Sequence, residues 1–327
     1  MPNLDLNIAF WDYDRTRPLV DGRVQPEGIN PNISVLRPRE IFPRMIQNQE
    51  FHAAEMSLAS YVILKARNEC PFVALPVMLS KIFRHDCIYV RPDAGISKPE
   101  DLRGKRVGLP QYSSTAAVFI KGLVQHEYGV PPSEIDWFMG GQDTPALAPW
   151  VPLDLPPEIH LEFIAEGKTL EAMLADDELD ALFATYIPNM FLNGSPKIVR
   201  LFPNFKEVEQ DYYQRTGIFP IMHTIVIRDD VLAEDPWVAG SLFDAFSQAK
   251  DLAVDGLYDT DALALALPFL IDHIEETWKI FGSDYWSYGV DSNRPALEAL
   301  AQYVVDQGLA PRVVSPNELF PLGTPSR

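Results

Sequence analysis

In the run Arg106-Val107-Gly108-Leu109-Pro110-Gln111-Tyr112-Ser113-Ser114-Thr115, a short apolar strand leads into a hydroxyl-rich turn, and a helical pattern takes over at residues 116–128. Strand, tight polar turn and helix, in that order, form the repeating unit of a parallel α/β sheet. A turn that opens a helix also presents unpaired backbone N–H groups, side-chain donors and the positive end of the helix dipole. The same ten residues therefore announce a scaffold and an anion site.

The alternation recurs on both sides. Upstream, residues 4–10 read as a strand that ends in the polar turn Trp11-Asp12-Tyr13-Asp14-Arg15-Thr16-Arg17. Residues 33–36 form a second strand before a helix over 40–47, and Phe51-His52-Ala53-Ala54-Glu55-Met56-Ser57 is a strand that precedes helical residues 58–66. Residues 73–77 read as a buried strand, and 83–90 alternate as a crossover strand. Downstream come strands at 135–138, 160–165 and 180–184, a helix at 169–175, and a strand at 222–228 that should rejoin the first sheet. Helical patterns cover 236–255, 260–270 and 294–307. Prolines 145, 149, 152, 156 and 157 enclose Trp150, Val151 and Leu153, which suits a packed irregular excursion better than a disordered linker. With 327 residues the chain exceeds one typical core. The expected division is residues 1–90 with 220–327 in one lobe and 91–219 in the other.

A formal net charge of −19, with no basic block to offset it, excludes nucleic acid and anionic membrane as partners. An anionic ligand must then be held locally against the overall field, which directs attention to individual arginines. There is no run of about 18 apolar residues to span a membrane. Residues 1–10 lack the basic, apolar and small-residue regions of a secretion signal, so the expected location is cytoplasmic. Cys70 and Cys87 have no metal-ligand spacing and read as reduced, buried thiols.

Ligands of open α/β sheets bind beyond the carboxyl ends of the strands. Four predicted ends carry polar clusters: Asp14-Arg15-Thr16-Arg17, Glu55-Met56-Ser57, Tyr112-Ser113-Ser114-Thr115 and Thr185-Tyr186. Arg15 and Arg17 have the fork geometry to clamp a carboxylate, or they staple the turn through Asp14 or Asp12. Glu55 is either an acid–base group or the buried partner of an arginine, and Ser57 reads equally well as a helix N-cap. Arg84-His85-Asp86 interrupts the crossover strand. Alternation there sends Arg84 and His85 to opposite faces, so at most one enters a given pocket. His223-Thr224 opens the returning strand. Metal-ligand spacings are absent, as are a P-loop, a nucleophile elbow and a dinucleotide glycine motif. Trp278 and Trp286-Ser287-Tyr288 could stack on a planar ligand, although packing of the terminal helices is the plainer role.

The segment Ser97-Lys98-Pro99-Glu100-Asp101-Leu102-Arg103-Gly104-Lys105 resembles the entry to the second lobe of a type II periplasmic-binding-protein fold. Together with Trp11 to Thr16, Phe51 to Ser57, Arg84-His85-Asp86-Cys87-Ile88-Tyr89-Val90 and His223-Thr224-Ile225-Val226-Ile227-Arg228, the chain resembles the 4,5-dihydroxyphthalate decarboxylase family over roughly its first 230 residues. The resemblance implies an α/β fold of two lobes, each a mixed, mostly parallel sheet flanked by helices, with a ligand cleft between them. It implies non-oxidative loss of CO₂ from a small aromatic dicarboxylate to give protocatechuate. His85 or His223 would supply the ring proton, with Glu55 orienting it. Asp14, Arg15, Arg17, Ser57, Arg84, Tyr112, Ser113, Ser114, Thr115, Thr185, Tyr186 and Thr224 would line the substrate. No organic cofactor is implied, a divalent metal on the catechol oxygens being the lesser alternative, and self-association stays open. The same scaffold also serves ABC-transporter receptors for aromatic or pyrimidine-like ligands and other lyases, so scaffold alone does not choose.

Overall fold

A computed structural model describes residues 3–145 and 148–323; Ala146 and Leu147 of the Pro-rich excursion, the first two residues and the last four lie outside them. Two sheets organise the chain. The first has the order β2 (Ile29–Val35), β1 (Leu4–Phe10), β3 (Ala53–Ser57), β11 (Ile221–Arg228), β4 (Phe72–Lys81). The pairs β1–β2 and β1–β3 are parallel, while β11 runs antiparallel to both β3 and β4. The second sheet has the order β10 (Val199–Arg200), β5 (Ile88–Val90), β9 (Ala181–Phe183), β6 (Arg106–Leu109), β7 (Asp136–Met139), β8 (Leu161–Phe163). It is parallel from β9 to β8 and antiparallel at the β10–β5–β9 edge.

The strands follow from their patterns. In β1, Leu6, Ile8 and Phe10 share one face and enter a core with the helix α9 (Val238–Gly256), as the two-residue period dictates. All five residues of β3 are buried, which marks the centre of the sheet. Between the sheets lie α3 (Leu58–Arg67), α4 (Thr115–Tyr128) and α11 (Arg294–Asp306). Val62, Ile63, Val118, Ile120, Leu297 and Leu300 are fully buried in one cluster that spans both sheets. Each such side chain contributes roughly 1.5–3 kcal/mol, so the base of the interlobe region is a continuous apolar block. The remaining helices are α1 (Arg17–Val20), α2 (Pro38–Asn48), α5 (Leu170–Ala175), α6 (Asn189–Leu192), α7 (Phe205–Thr216), α8 (Asp229–Glu234), α10 (Leu270–Phe281) and α12 (Pro316–Leu319).

Two expectations need correction, and one helix is not foreseen by the sequence. Arg84 to Cys87 is not strand: His85–Cys87 is one 3₁₀ turn and the strand begins only at Ile88, so the alternation argument for Arg84 and His85 does not apply. Helix was expected at 260–270, but α10 starts at Leu270, and residues 261–269 are exposed and non-helical. Their Ala-Leu repeat has a period of two and offers a helix no apolar stripe, and Pro268 closes off continuation. The helix α7 had no counterpart in the sequence reading, because it buries only Tyr212 among its twelve residues and carries little periodic signal. Trp150, Val151 and Leu153 pack against the large core, so the described part of the Pro-rich excursion is anchored.

Candidate active site

Glu55 lies near the end of the central strand β3 and is completely buried. A carboxylate there is costly unless donors surround it, and three do. The backbone N–H of Trp11 donates to Oε2 at 2.9 Å, the Tyr13 hydroxyl donates to Oε1 at 2.6 Å, and His223 Nδ1 lies 2.7 Å from Oε1. Burial and the adjacent Glu55 raise the Tyr13 pKa, which keeps the phenol protonated and donating. His223 faces Ser57 across the β3–β11 pairing and Ser80 across the β11–β4 pairing. The Phe42 ring meets the imidazole edge-on at 5.0 Å, with Trp150 behind it at 5.2 Å. With Nδ1 committed to Glu55, Nε2 is the nitrogen left to exchange a proton with a ligand.

The strand irregularity that aims His223 has a sequence cause. His223 pairs with Ser80 but Ile225 already pairs with Leu75, so residues 76–79 bulge out of register. Pro76 has no N–H to give to a ladder and is tolerated here because β4 is the edge strand. The carbonyls released by the irregularity find other donors. Leu75 O accepts from the Thr224 hydroxyl, Pro76 O from Gly289 N–H, Met78 O from Trp286 Nε1 and Leu79 O from Arg15 Nε. Bulges recur beside active sites because they re-aim a side chain.

Beside the pair, two helix N-termini meet. Ser57 caps α3 by accepting from Ser60 N–H, and Ser114 caps α4 by accepting from Ala117 N–H. Thr115 Oγ1 lies 2.9 Å from Ser57 Oγ and accepts from Ala59 N–H at 3.0 Å, so hydroxyls join the first turns of both helices. The buried Ser60 Oγ, Gln111 Oε1, Tyr112 hydroxyl and Ser113 Oγ on these two openings have no hydrogen-bond partner among the described residues. Two helix N-termini joined through the Ser57 and Thr115 hydroxyls suit a carboxylate. Lys121 braces the turn from inside: it is buried, donates to Tyr112 O at 2.9 Å and lies over the Tyr112 ring, and burial holds its pKa well below the ordinary value.

The remaining sequence candidates are placed as follows. Arg15 is stacked between Tyr13 and Trp286, 4.1 and 4.4 Å from their ring centres, and bonds Asp14. Arg17 is exposed and paired with Asp12 through two bonds. Arg84 donates to Met222 Sδ and to Thr185 O, tying the segment after β9 to the start of β11. Tyr186 donates to Asp143, and Gln142 bonds the backbone of both Thr185 and Tyr186. His85 is buried against Phe202 and Tyr212, and its backbone N–H donates to Glu209; nothing in that surrounding connects it to Glu55. Trp278 stacks on Tyr258. Tyr13 and Phe42 are not site candidates in the sequence, where Trp150 is expected only to pack. Tyr13 was the one with a signal, an aromatic hydroxyl in the loop that follows the first strand. Among the described residues, no group of three or more His, Cys, Asp or Glu side chains could hold a metal ion. Among the described residues no helix is long and apolar enough to cross a membrane.

Known proteins resemble this chain as follows. A family model for the periplasmic substrate-binding protein of phosphonate ABC transporters matches residues 32–148. A curated protein of Comamonas testosteroni named 4,5-dihydroxyphthalate decarboxylase is 38% identical over 320 residues, spanning 98% of this chain and 97% of its own. A Pseudomonas putida protein of the same name is 37% identical over 214 residues, spanning 65% of this chain and 83% of its own. Among solved structures, the periplasmic sulfonate-binding protein of Methylobacillus flagellatus KT superposes with a TM-score of 0.57 at 12% identity, covering 97% of this chain and 91% of that one. The alkanesulfonate-binding protein of Xanthomonas axonopodis pv. citri, bound to MOPS, gives 0.52 at 11% identity and covers 98% of both chains. At such identities these structures speak to the fold alone, which is that of the periplasmic binding proteins.

Proposed function

Since the chain belongs to the 4,5-dihydroxyphthalate decarboxylase family, whose named members are carboxy-lyases, we propose that it converts 4,5-dihydroxyphthalate to protocatechuate and CO₂, with His223 as the proton donor. The observation that carries this reading is the 2.7 Å bond between His223 Nδ1 and the buried Glu55 carboxylate, where β3 and β11 face the openings of α3 and α4. In the substrate each carboxylate has a hydroxyl para to it. Electrons pushed from that hydroxyl let the carboxylated ring carbon accept a proton from His223 Nε2. The C–C bond then breaks, its electron pair restores the aromatic ring, and CO₂ leaves. One proton enters and one CO₂ departs, so the balance closes without an oxidant, and the ring hydroxyls take the part an organic cofactor would play.

Glu55 offsets the charge on the imidazolium and fixes its ring, and Tyr13 and Trp11 hold Glu55 in turn. Ser57, Thr115 and the turn at residues 111–115 would hold the carboxylate that stays. The leaving carboxylate would face Phe42, backed by Trp150, where loss of water favours neutral CO₂ over the anion. We place the enzyme in the cytoplasm, the location that suits a catabolic lyase, and fractionation of the native host tests this. Incubation with 4,5-dihydroxyphthalate in D₂O should release CO₂ and leave deuterium on the vacated ring carbon. Tight binding without turnover would instead favour the solute-receptor reading of the same cleft and sink the enzyme reading for this substrate.

A further inference from the structure

Lys81, the last residue of β4, is buried at 6% exposure but is paired with no buried anion among the described residues. It donates one bond, to Ser287 O at 2.9 Å, and an ammonium has three to give. It borders a cavity of about 260 Å³ that does not include Glu55 or His223. The walls opposite the amine are aromatic. Tyr213 and Phe281 lie 4.2 Å apart and Phe219 lies 5.3 Å from Phe281, with Tyr285 completing the ring of side chains. Ligand pockets for drug-sized molecules run from about 300 Å³ upward, so this one suits a single substituted ring.

The local charge is unusual for so acidic a chain. Burial brings the Lys81 pKa down to about 7; Asp284 opposes the shift, and Lys250 and Arg15 add to it by smaller amounts. Lys250 is held by Asp251 and Asp284, and Asp284 is 67% exposed, so water screens it. Lys81 is the cation in the cavity wall, and Asp284, which also lines it, is largely exposed, so the buried amine among aromatic rings favours an anion with a flat apolar body.

We propose that this cavity is a second ligand site, distinct from the Glu55–His223 centre, that takes a single-ring aromatic carboxylate with its carboxylate on Lys81 and its ring against Phe219 and Phe281. The inference does not rest on His223 being the proton donor. Ligand in the cavity covers the amine, so occupancy can be read at Lys81 itself. The full chain is treated at pH 7 with formaldehyde and cyanoborohydride, with and without 3,4-dihydroxybenzoate, and methylation is followed residue by residue by mass spectrometry. Lys81 methylation should slow in proportion to the free site, about tenfold at ligand about ten times its Kd. His223→Asn should keep this protection while losing turnover, which separates the two sites. Ser292→Trp, placed at an exposed position on the cavity lining, should slow methylation without ligand. Equal methylation of Lys81 with and without 3,4-dihydroxybenzoate overturns the proposal. So does a Lys81 that is never methylated, because the cavity would then be closed to small molecules.

Discussion

At the scale of single residues, the buried carboxylate and its three donors decide what the site can do. His223→Asn removes the exchangeable nitrogen and should lower kcat by about 10²–10⁴-fold, the usual share of general acid catalysis; a loss under tenfold would move the proton donor elsewhere. Glu55→Gln keeps the shape but not the charge, and as a positioning change should lower kcat about 10- to 100-fold with KM nearly unchanged. A KM effect alone would recast Glu55 as a substrate contact. Lys81 offers a test of stability. Its pKa is about 7 in the folded chain against an ordinary 10.5, so between those values the unfolded chain binds the extra proton. The wild type therefore carries the full penalty at and below pH 7 and recovers stability as pH rises toward 10.5. Lys81→Met should stabilise the protein most near pH 6.5, on the order of a few kcal/mol, and less at pH 9.5. Denaturant unfolding at both pH values checks this, and an equal difference at the two refutes it. Glu55, His223 and Ser57 were legible in the sequence because they fall at the ends of recognisable strands. Their union was not, since Glu55 and His223 are 168 positions apart and only the antiparallel return of β11 joins them.

At the scale of elements, packing and propensity can be set against each other in α4. Gly122 lies in the middle of that helix, where propensity alone predicts that alanine would gain about 1 kcal/mol. A methyl group there would come within 2.2 Å of the Tyr303 ring on α11, and overpacking of this kind costs about 1–3 kcal/mol. Packing should win, so Gly122→Ala is expected to lower Tm, measurable by calorimetry; a raised Tm would mean that α11 shifts at little cost. The α3 and α4 openings were readable from their Ser and Thr residues, because capping is a local interaction. The 3₁₀ turn at His85–Cys87 and the register shift opposite His223 were not readable. Both arise where a strand is released from its neighbours, and periodicity does not record pairing.

At the scale of the molecule, a charge of −19 repels a dianionic substrate before any contact forms. Raising ionic strength from about 0.01 to 0.15 M shortens the screening length from about 30 to 8 Å, so kcat/KM should rise over that range. A fall would show that the positive groups of the cleft dominate the approach. Hydrophobic periodicity and turn chemistry alone implied the alternating α/β chain, the helix-opening anion turn, the acidic surface and the polar ends of the strands. These are properties of a few neighbouring residues, and local interactions are written locally. Which histidine faces the buried carboxylate, that Tyr13 is its second donor, that Arg15 is stacked between rings and paired with Asp14, and that Lys81 lines a cavity all depend on groups brought together from distant parts of the chain. Sheet order and burial created those contacts, and no window of sequence contains them.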